Sequence, residues 1–215
     1  MIDVRMFTVG PVQENCFIVR AKDSDRAVIV DPGEEADRLI GALDAIGIKT
    51  VEAILVTHTH FDHVGAVAPV AAATGAPVYC PELETNVLAN IMDYVPWPGF
   101  GPFESYDADH TVSGGEQLEL ASLTLDVIFT PGHSPGHVTY AIKDENALFS
   151  GDVLFQGSVG RVDLPGGDWP TLLASIETLV DAFPPETQVY PGHMGLTTLG
   201  RERATNPFLR ELAAK

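Results

Sequence analysis

The segment Thr57-His58-Thr59-His60-Phe61-Asp62-His63 places four metal-capable side chains in one short turn. An apolar, β-branched run at residues 51–56 precedes it, and a run of small residues at 64–74 follows. This reads as a buried strand, a ligand-bearing loop and a helix. Three more candidates recur in the same setting, each after a strand-like stretch. They are His133 in Thr130-Pro131-Gly132-His133, Asp152 in Ser150-Gly151-Asp152, and His193 in Tyr190-Pro191-Gly192-His193. Side chains from four separate strand ends can converge only if those strands share one edge of a sandwich.

Imidazole and carboxylate suit zinc, iron or manganese. Seven such groups exceed what one ion needs, so two divalent metal ions side by side are expected. Zinc is the first choice, with iron and manganese also compatible.

The 215 residues suffice for one large domain, and no run of about 18 apolar residues crosses a membrane. Residues 1–9 lack the basic and apolar regions of a signal peptide, so a cytoplasmic location is expected. Cys16 and Cys80 have no metal-site spacing and read as buried, inert thiols. A net charge of −18 disfavours nucleic acid and anionic membranes as partners. Between Lys49 and Lys143 there is no Lys or Arg, and Arg161 is the sole cation between Lys143 and Arg201. Arg201, Arg203 and Arg210 read as a solvated helix face.

Strands are expected at 6–9, 16–19 and 27–31. A helix follows over 34–46, where Ala36, Leu39, Ile40, Leu43 and Ile46 keep a helical period and Gly47 caps the end. The strand at 51–56 leads to a helix over 64–74, blemished by Pro69, and a short strand at 77–80. Residues 82–92 read as helical. Residues 94–103, rich in Pro, Gly and aromatics, form either a wall over the site or a packing loop. Strands at 117–120, 123–129, 138–142 and 147–150 come next, then a helix at 169–183 with Asp168 at its N-cap. A strand at 188–190 and a helix over 200–212, broken near Pro207, complete the chain. No linker or repeat divides it, so one domain over 1–215 is expected.

Together with Val30-Asp31-Pro32-Gly33 and the extension of the third motif to Ser134-Pro135-Gly136-His137, these motifs resemble the metallo-β-lactamase superfamily. Gly157-Ser158-Val159-Gly160-Arg161-Val162-Asp163-Leu164-Pro165-Gly166-Gly167-Asp168 and Thr205-Asn206-Pro207-Phe208-Leu209 resemble its short bacterial, glyoxalase II-like (hydroxyacylglutathione hydrolase-like) branch. The resemblance implies an α/β fold, the αβ/βα four-layer sandwich, with metals at one edge. It implies one metal on His58, His60 and His133, a second on Asp62, His63 and His193, and Asp152 bridging them. The helical substrate domain that longer glyoxalase II enzymes append is not expected here.

Two divalent ions can share a water and lower its pKa, so a bridging hydroxide can attack an acyl carbon at neutral pH. A thioester suits such a site, because the departing thiolate is itself a metal ligand. Asp62 is the candidate catalytic residue, orienting the hydroxide or taking its proton. Arg161 is the candidate substrate-binding residue, either a clamp for a substrate carboxylate or an ion pair with Asp163. Asp163 falls where longer relatives carry a phenol. His137 reads as structural, His110 as a surface residue, and Asp31 as a turn-former or a partner of a ligand histidine. The expected enzyme is a binuclear hydrolase of a small-molecule thioester such as S-lactoylglutathione, monomeric or weakly homo-oligomeric. A mononuclear-iron persulfide dioxygenase and a lactonase share these ligands. A β-lactamase is disfavoured because position 152 is Asp.

Overall fold

Alternation along the strands builds this molecule in four layers. The computed structural model describes residues 1–210. The first sheet contains β1 (Ile2–Val9), β2 (Glu14–Ala21), β3 (Arg26–Val30), β4 (Thr50–Leu55), β5 (Val78–Pro81) and β6 (His110–Val112), in that spatial order. The second contains β7 (Gln117–Leu120), β8 (Leu123–Phe129), β9 (Val138–Ile142), β10 (Ala147–Gly151), β13 (Gln188–Pro191) and β14 (Thr197–Thr198). Their spatial order is β14-β13-β10-β9-β8-β7. A small hairpin, β11 (Leu154–Phe155) with β12 (Ser158–Val159), lies between β10 and β13 in the chain.

Successive strand residues face opposite sides. On β3, Val28 and Val30 point into the core between the sheets, where Phe17, Leu55, Leu125, Tyr140 and Phe149 meet. Ala27 and Ile29 point the other way, into a second core. That core is covered by α1 (Ala36–Ala45), α3 (Val67–Thr74) and α4 (Thr85–Ala89). Leu148 of β10 faces a third core with Leu172, Ile176 and Leu179 of α5 (Trp169–Ala182) and Leu199 of α6 (Leu199–Thr205). Helix, sheet, sheet, helix is the expected αβ/βα sandwich.

The local departures have physical causes. Pairing carries β1 and β2 past their apolar runs, and Arg20 holds Asp3 across the ladder at 2.8 Å. The helix expected over 64–74 is two helices, α2 (Phe61–Val64) and α3. Pro69 therefore sits in the first turn of α3, where its missing N–H has no intrahelical partner to lose. Residues 82–92 hold a 3-10 turn, α4 and a second 3-10 turn in place of one helix. Asp168 caps α5 by accepting the Thr171 N–H at 3.0 Å. The last helix stops at Thr205, and Pro207–Leu209 is a 3-10 turn. Residues 211 and 212 of that expected helix lie outside the described residues. The strands β6, β11, β12 and β14 are two or three residues long, too short to show a period in sequence.

Candidate metal centre

Chain direction brings the ligand candidates to one edge. β9 is antiparallel to both β8 and β10, and β13 is parallel to β10, so β8, β10 and β13 all run the same way. His133, Asp152 and His193 follow these strands, and His58 follows β4. Backbone bonds join the sheets there: Val138 N–H donates to Thr57 C=O at 2.9 Å and Asn15 N–H to Gly192 C=O at 2.7 Å.

Two groups of ligand atoms result. His58, His60 and His133 converge within 4.8 Å of one another, as do Asp62, His63 and His193. The Asp152 carboxylate lies between them. One oxygen is 3.3 Å from His63 Nε2, and the other is 3.5 Å from His133 Nε2 and 3.6 Å from His193 Nε2. Gly192 makes this approach possible. A Cβ there would stand 2.3 Å from Asp152 Oδ1 and 2.6 Å from His63 Cε1. Gly151 (φ +46°) likewise presses against Thr57 Oγ1 and His137 Nε2.

The hydrogen bonds around the rings fix which nitrogens point inward. His63 Nδ1 donates to Asp31 Oδ2 at 3.0 Å, His133 Nδ1 to Arg161 C=O at 2.7 Å, and His193 Nδ1 to Gln13 C=O at 3.2 Å. The Thr57 hydroxyl donates to Asp31 and so accepts from His58 Nδ1. In the neutral rings each Nε2 is then a bare lone pair. Yet His133 Nε2 lies 3.2 Å from His58 Nε2, lone pair against lone pair, with His60 Nδ1 2.8 Å away. His63 Nε2 and Asp152 Oδ1 are buried without hydrogen-bond partners. Lone pairs facing lone pairs in a buried space call for cations, and the donor set fits two divalent ions.

Electrostatics agree. Burial holds His58 well below the ordinary imidazole range and His60 down to about 4, so both stay neutral lone-pair donors. Burial opposes charge on His63 and His193 too, but the nearby carboxylates, Asp152 foremost, raise both. Burial also opposes charge on Asp152 and Asp62, yet the imidazoles around them, led by His63, hold both carboxyls low. The cluster attracts positive charge.

A cavity of about 290 Å³ opens over these groups, lined among others by His60, Asp62, His133, Asp152, Arg161 and His193. Arg161 makes the ion pair with Asp163 that is one of its two sequence readings. It lines the cavity and also forms a two-pronged pair with Asp163, with Nη2 to Oδ2 at 2.8 Å. Its guanidinium lies 5.6 Å over the Trp97 ring. Residues 94–103 are both wall and packing: Trp97 lines the cavity, while Trp97, Phe100 and Phe103 pack on Phe61. Asp31 also does both jobs, bonding His63 while holding a turn at φ +49°. His110 is exposed, and Cys16 and Cys80 are buried free thiols. Arg201, Arg203 and Arg210 are exposed and line no part of this cavity. His137 has a specific structural role. Its Nε2 accepts the Asp152 N–H at 3.1 Å and its Nδ1 pairs with Thr130 Oγ1.

Two carboxyls escaped the sequence reading. Glu84 is buried, and one oxygen accepts from the N–H and hydroxyl of Thr59, between His58 and His60. The other accepts from the Ser134 hydroxyl and the Gly136 N–H, beside His133. Nothing in Glu82-Leu83-Glu84 separates it from exposed Glu82. The same bond accounts for Ser134. Gly132-His133-Ser134-Pro135-Gly136 has the letters of a nucleophile elbow, but the Ser134 hydroxyl is buried and held by Glu84. Glu14 is fully buried behind His63, and burial pushes its carboxyl well above the usual range. Its place in an apolar strand gave no signal.

Among the described residues no helix is long and apolar enough to cross a membrane. Comparisons with known proteins match this architecture over almost the whole chain. The probable metallo-hydrolase YqgX of Bacillus subtilis (strain 168) is 40% identical over 210 residues, covering 95% of this chain and 96% of that protein. The hydroxyacylglutathione hydrolase GloC of Haemophilus influenzae is 32% identical, covering 97% and 98%. The crystal structure of BLEG-1 B3 metallo-β-lactamase superposes with a TM-score of 0.90 at 42% identity, covering 97% of this chain and 100% of that one. TTHA1623 in a di-iron-bound form gives 0.78 at 40%, covering 95% and 100%. A family model matches residues 9–193, which span every ligand candidate from His58 to His193, and on this ground the chain belongs to the metallo-β-lactamase superfamily.

Proposed function

We propose that this chain is a binuclear, zinc-dependent thioester hydrolase of the hydroxyacylglutathione hydrolase type. The observation that carries the reading is the Asp152 carboxylate, set between two separate groups of inward-pointing ligand atoms. In this reading His58, His60 and His133 would hold one ion and Asp62, His63 and His193 the other, with Asp152 available to both. The relative named hydroxyacylglutathione hydrolase supports the thioester, and the di-iron neighbour supports two metals in such a site.

When bound, two divalent ions would supply a hydroxide nucleophile at neutral pH and polarise the acyl carbonyl. The protein does the rest. Asp62, held ionised by His63 and His193, accepts the proton released as the tetrahedral centre forms. Arg161 and Trp97 hold the substrate at the rim, the guanidinium facing its carboxylate. The C–S bond breaks, water adds across it, and a carboxylic acid and a thiol leave.

The test is metal analysis of protein purified without added metal, with S-lactoylglutathione hydrolysis on the same sample. About two ions per chain with turnover supports the reading. One iron, no thioester turnover and oxygen uptake with glutathione persulfide would replace it with a dioxygenase. The 42%-identical B3 metallo-β-lactamase makes a lactam the second substrate to try. Lactam cleavage without thioester cleavage would overturn the proposal.

A further inference from the structure

A second cavity, about 370 Å³, lies on the far side of His60 from the metal centre. His60, Phe61 and Leu164 line both spaces, so the two cavities adjoin across these three side chains. Its other walls are Val87, Tyr94, Pro96, Pro135 and Pro165, with Glu84 and Ser134 at its surface. Gly166 closes one side against Pro135, where a Cβ would come within 2.5 Å of the proline ring.

Most of the polar groups facing this space are committed to Glu84. The Thr59 and Ser134 hydroxyls both donate to Glu84. Both Glu84 oxygens are taken, each by two donors. The prolines offer no N–H. The Tyr94 hydroxyl accepts from Asn86 at 2.7 Å and is the main hydroxyl here with capacity left over. Among the described residues no Lys or Arg lines this cavity, and Arg161 lines the one on the metal side. A charged or strongly polar group entering here would lose its water and find almost no partner. A hydrocarbon would lose nothing and bury apolar surface.

We propose that this cavity receives the acyl chain of the substrate, so the preferred substrates are thioesters of extended or branched hydrocarbon acids. The proposal rests on the hydrolase reading of the metal centre for the orientation of the chain. With the carbonyl at the metals, the acyl arm passes His60 and Phe61 into the lobe. The thiol arm remains at the rim by Arg161 and Trp97. A hydroxyacyl group as short as lactoyl would leave the lobe empty.

The experiment has two arms on the metal-loaded protein. In the first, kcat/KM is measured for S-acetyl-, S-butyryl-, S-hexanoyl- and S-octanoylglutathione. Each buried methylene is expected to raise it about fourfold until the lobe is full. Val87→Trp, which plugs the lobe, is expected to bring the hexanoyl-to-acetyl ratio toward one. Val87→Ala is expected to move the optimum to a longer chain. In the second arm, binding of n-butanol, n-hexanol and n-octanol is followed by calorimetry, with no catalysis involved. Affinity is expected to rise with chain length and to fall in Val87→Trp. Thioester turnover independent of chain length, with no alkanol binding, would overturn the lobe and leave the hydrolase reading intact. Alkanol binding with that dependence but no turnover of any thioester would keep the lobe and remove the thioester.

Discussion

Glu84 and Thr59 are joined twice: the carboxylate accepts the Thr59 N–H at 2.7 Å and its hydroxyl at 2.9 Å. Thr59 separates His58 from His60, and the other Glu84 oxygen holds Gly136 at 2.9 Å, close to His133. One buried side chain thus sets the spacing between the two loops that carry the first ligand group. Glu84→Ala leaves two backbone donors and two hydroxyls without their acceptor, and is expected to cost about 3 kcal/mol or more. Glu84→Gln keeps part of the acceptor set and should fall between. Urea unfolding and metal content measure both effects. A Glu84→Ala protein with wild-type stability and metal content would refute the clamp.

Asp31 orients His63 from behind, through a 3.0 Å bond to Nδ1. Asn tolerates the left-handed backbone that Asp31 adopts, so Asp31→Asn preserves the turn and removes the charge. Metal affinity is expected to drop about 10–100-fold, read by competition with a chelator. An unchanged affinity would show that the carboxylate serves only the turn.

His60 gives the metal-free protein an acid-side sensitivity. Burial, helped by His133, holds it down to about 4, against about 6.5 for an unfolded chain. As pH falls through this window the unfolded state takes up its proton first. Stability present above about 6.5 is therefore lost progressively toward pH 4, by about 3 kcal/mol. His63 and His193 are raised and act in the opposite direction, so the measurement is a difference. The stability difference between metal-free wild type and His60→Gln should change between about pH 4 and 6.5 and stay constant outside that window. Parallel curves would exclude the effect.

Arg161 is half exposed and paired with exposed Asp163, so solvent screening leaves the pair little weight in stability. Arg161→Ala should leave melting and metal content unchanged while raising KM about tenfold or more for a substrate with a carboxylate in its thiol arm. KM equal to wild type would assign Arg161 to the loop alone.

Neither cysteine is expected to react in the native protein. Burial pushes the Cys80 thiol up and raises Cys16 well above the usual range as well. Alkylation at pH 8 should label both thiols only after denaturation. Labelling of the native protein would show that one of these cores opens.

The sequence by itself determined which ligand candidates stand at strand ends, and its family resemblance implied the layer pattern. Ligands at strand ends are local features, because each motif pairs an apolar run with the turn that follows it. Alternation in β3, β4 and β10 assigns each residue to one core or another without knowledge of the partner sheet. Tertiary structure alone decided what surrounds the ligands. Glu84 meets Thr59 across 25 residues and Ser134 across 50, and Asp31 meets His63 across 32. Such pairings leave no period in the chain, since a buried acceptor is defined by the donors that folding brings to it. The same holds for the cavity beside His60. Its apolar character comes from hydroxyls already bonded to Glu84, and no residue carries that fact alone.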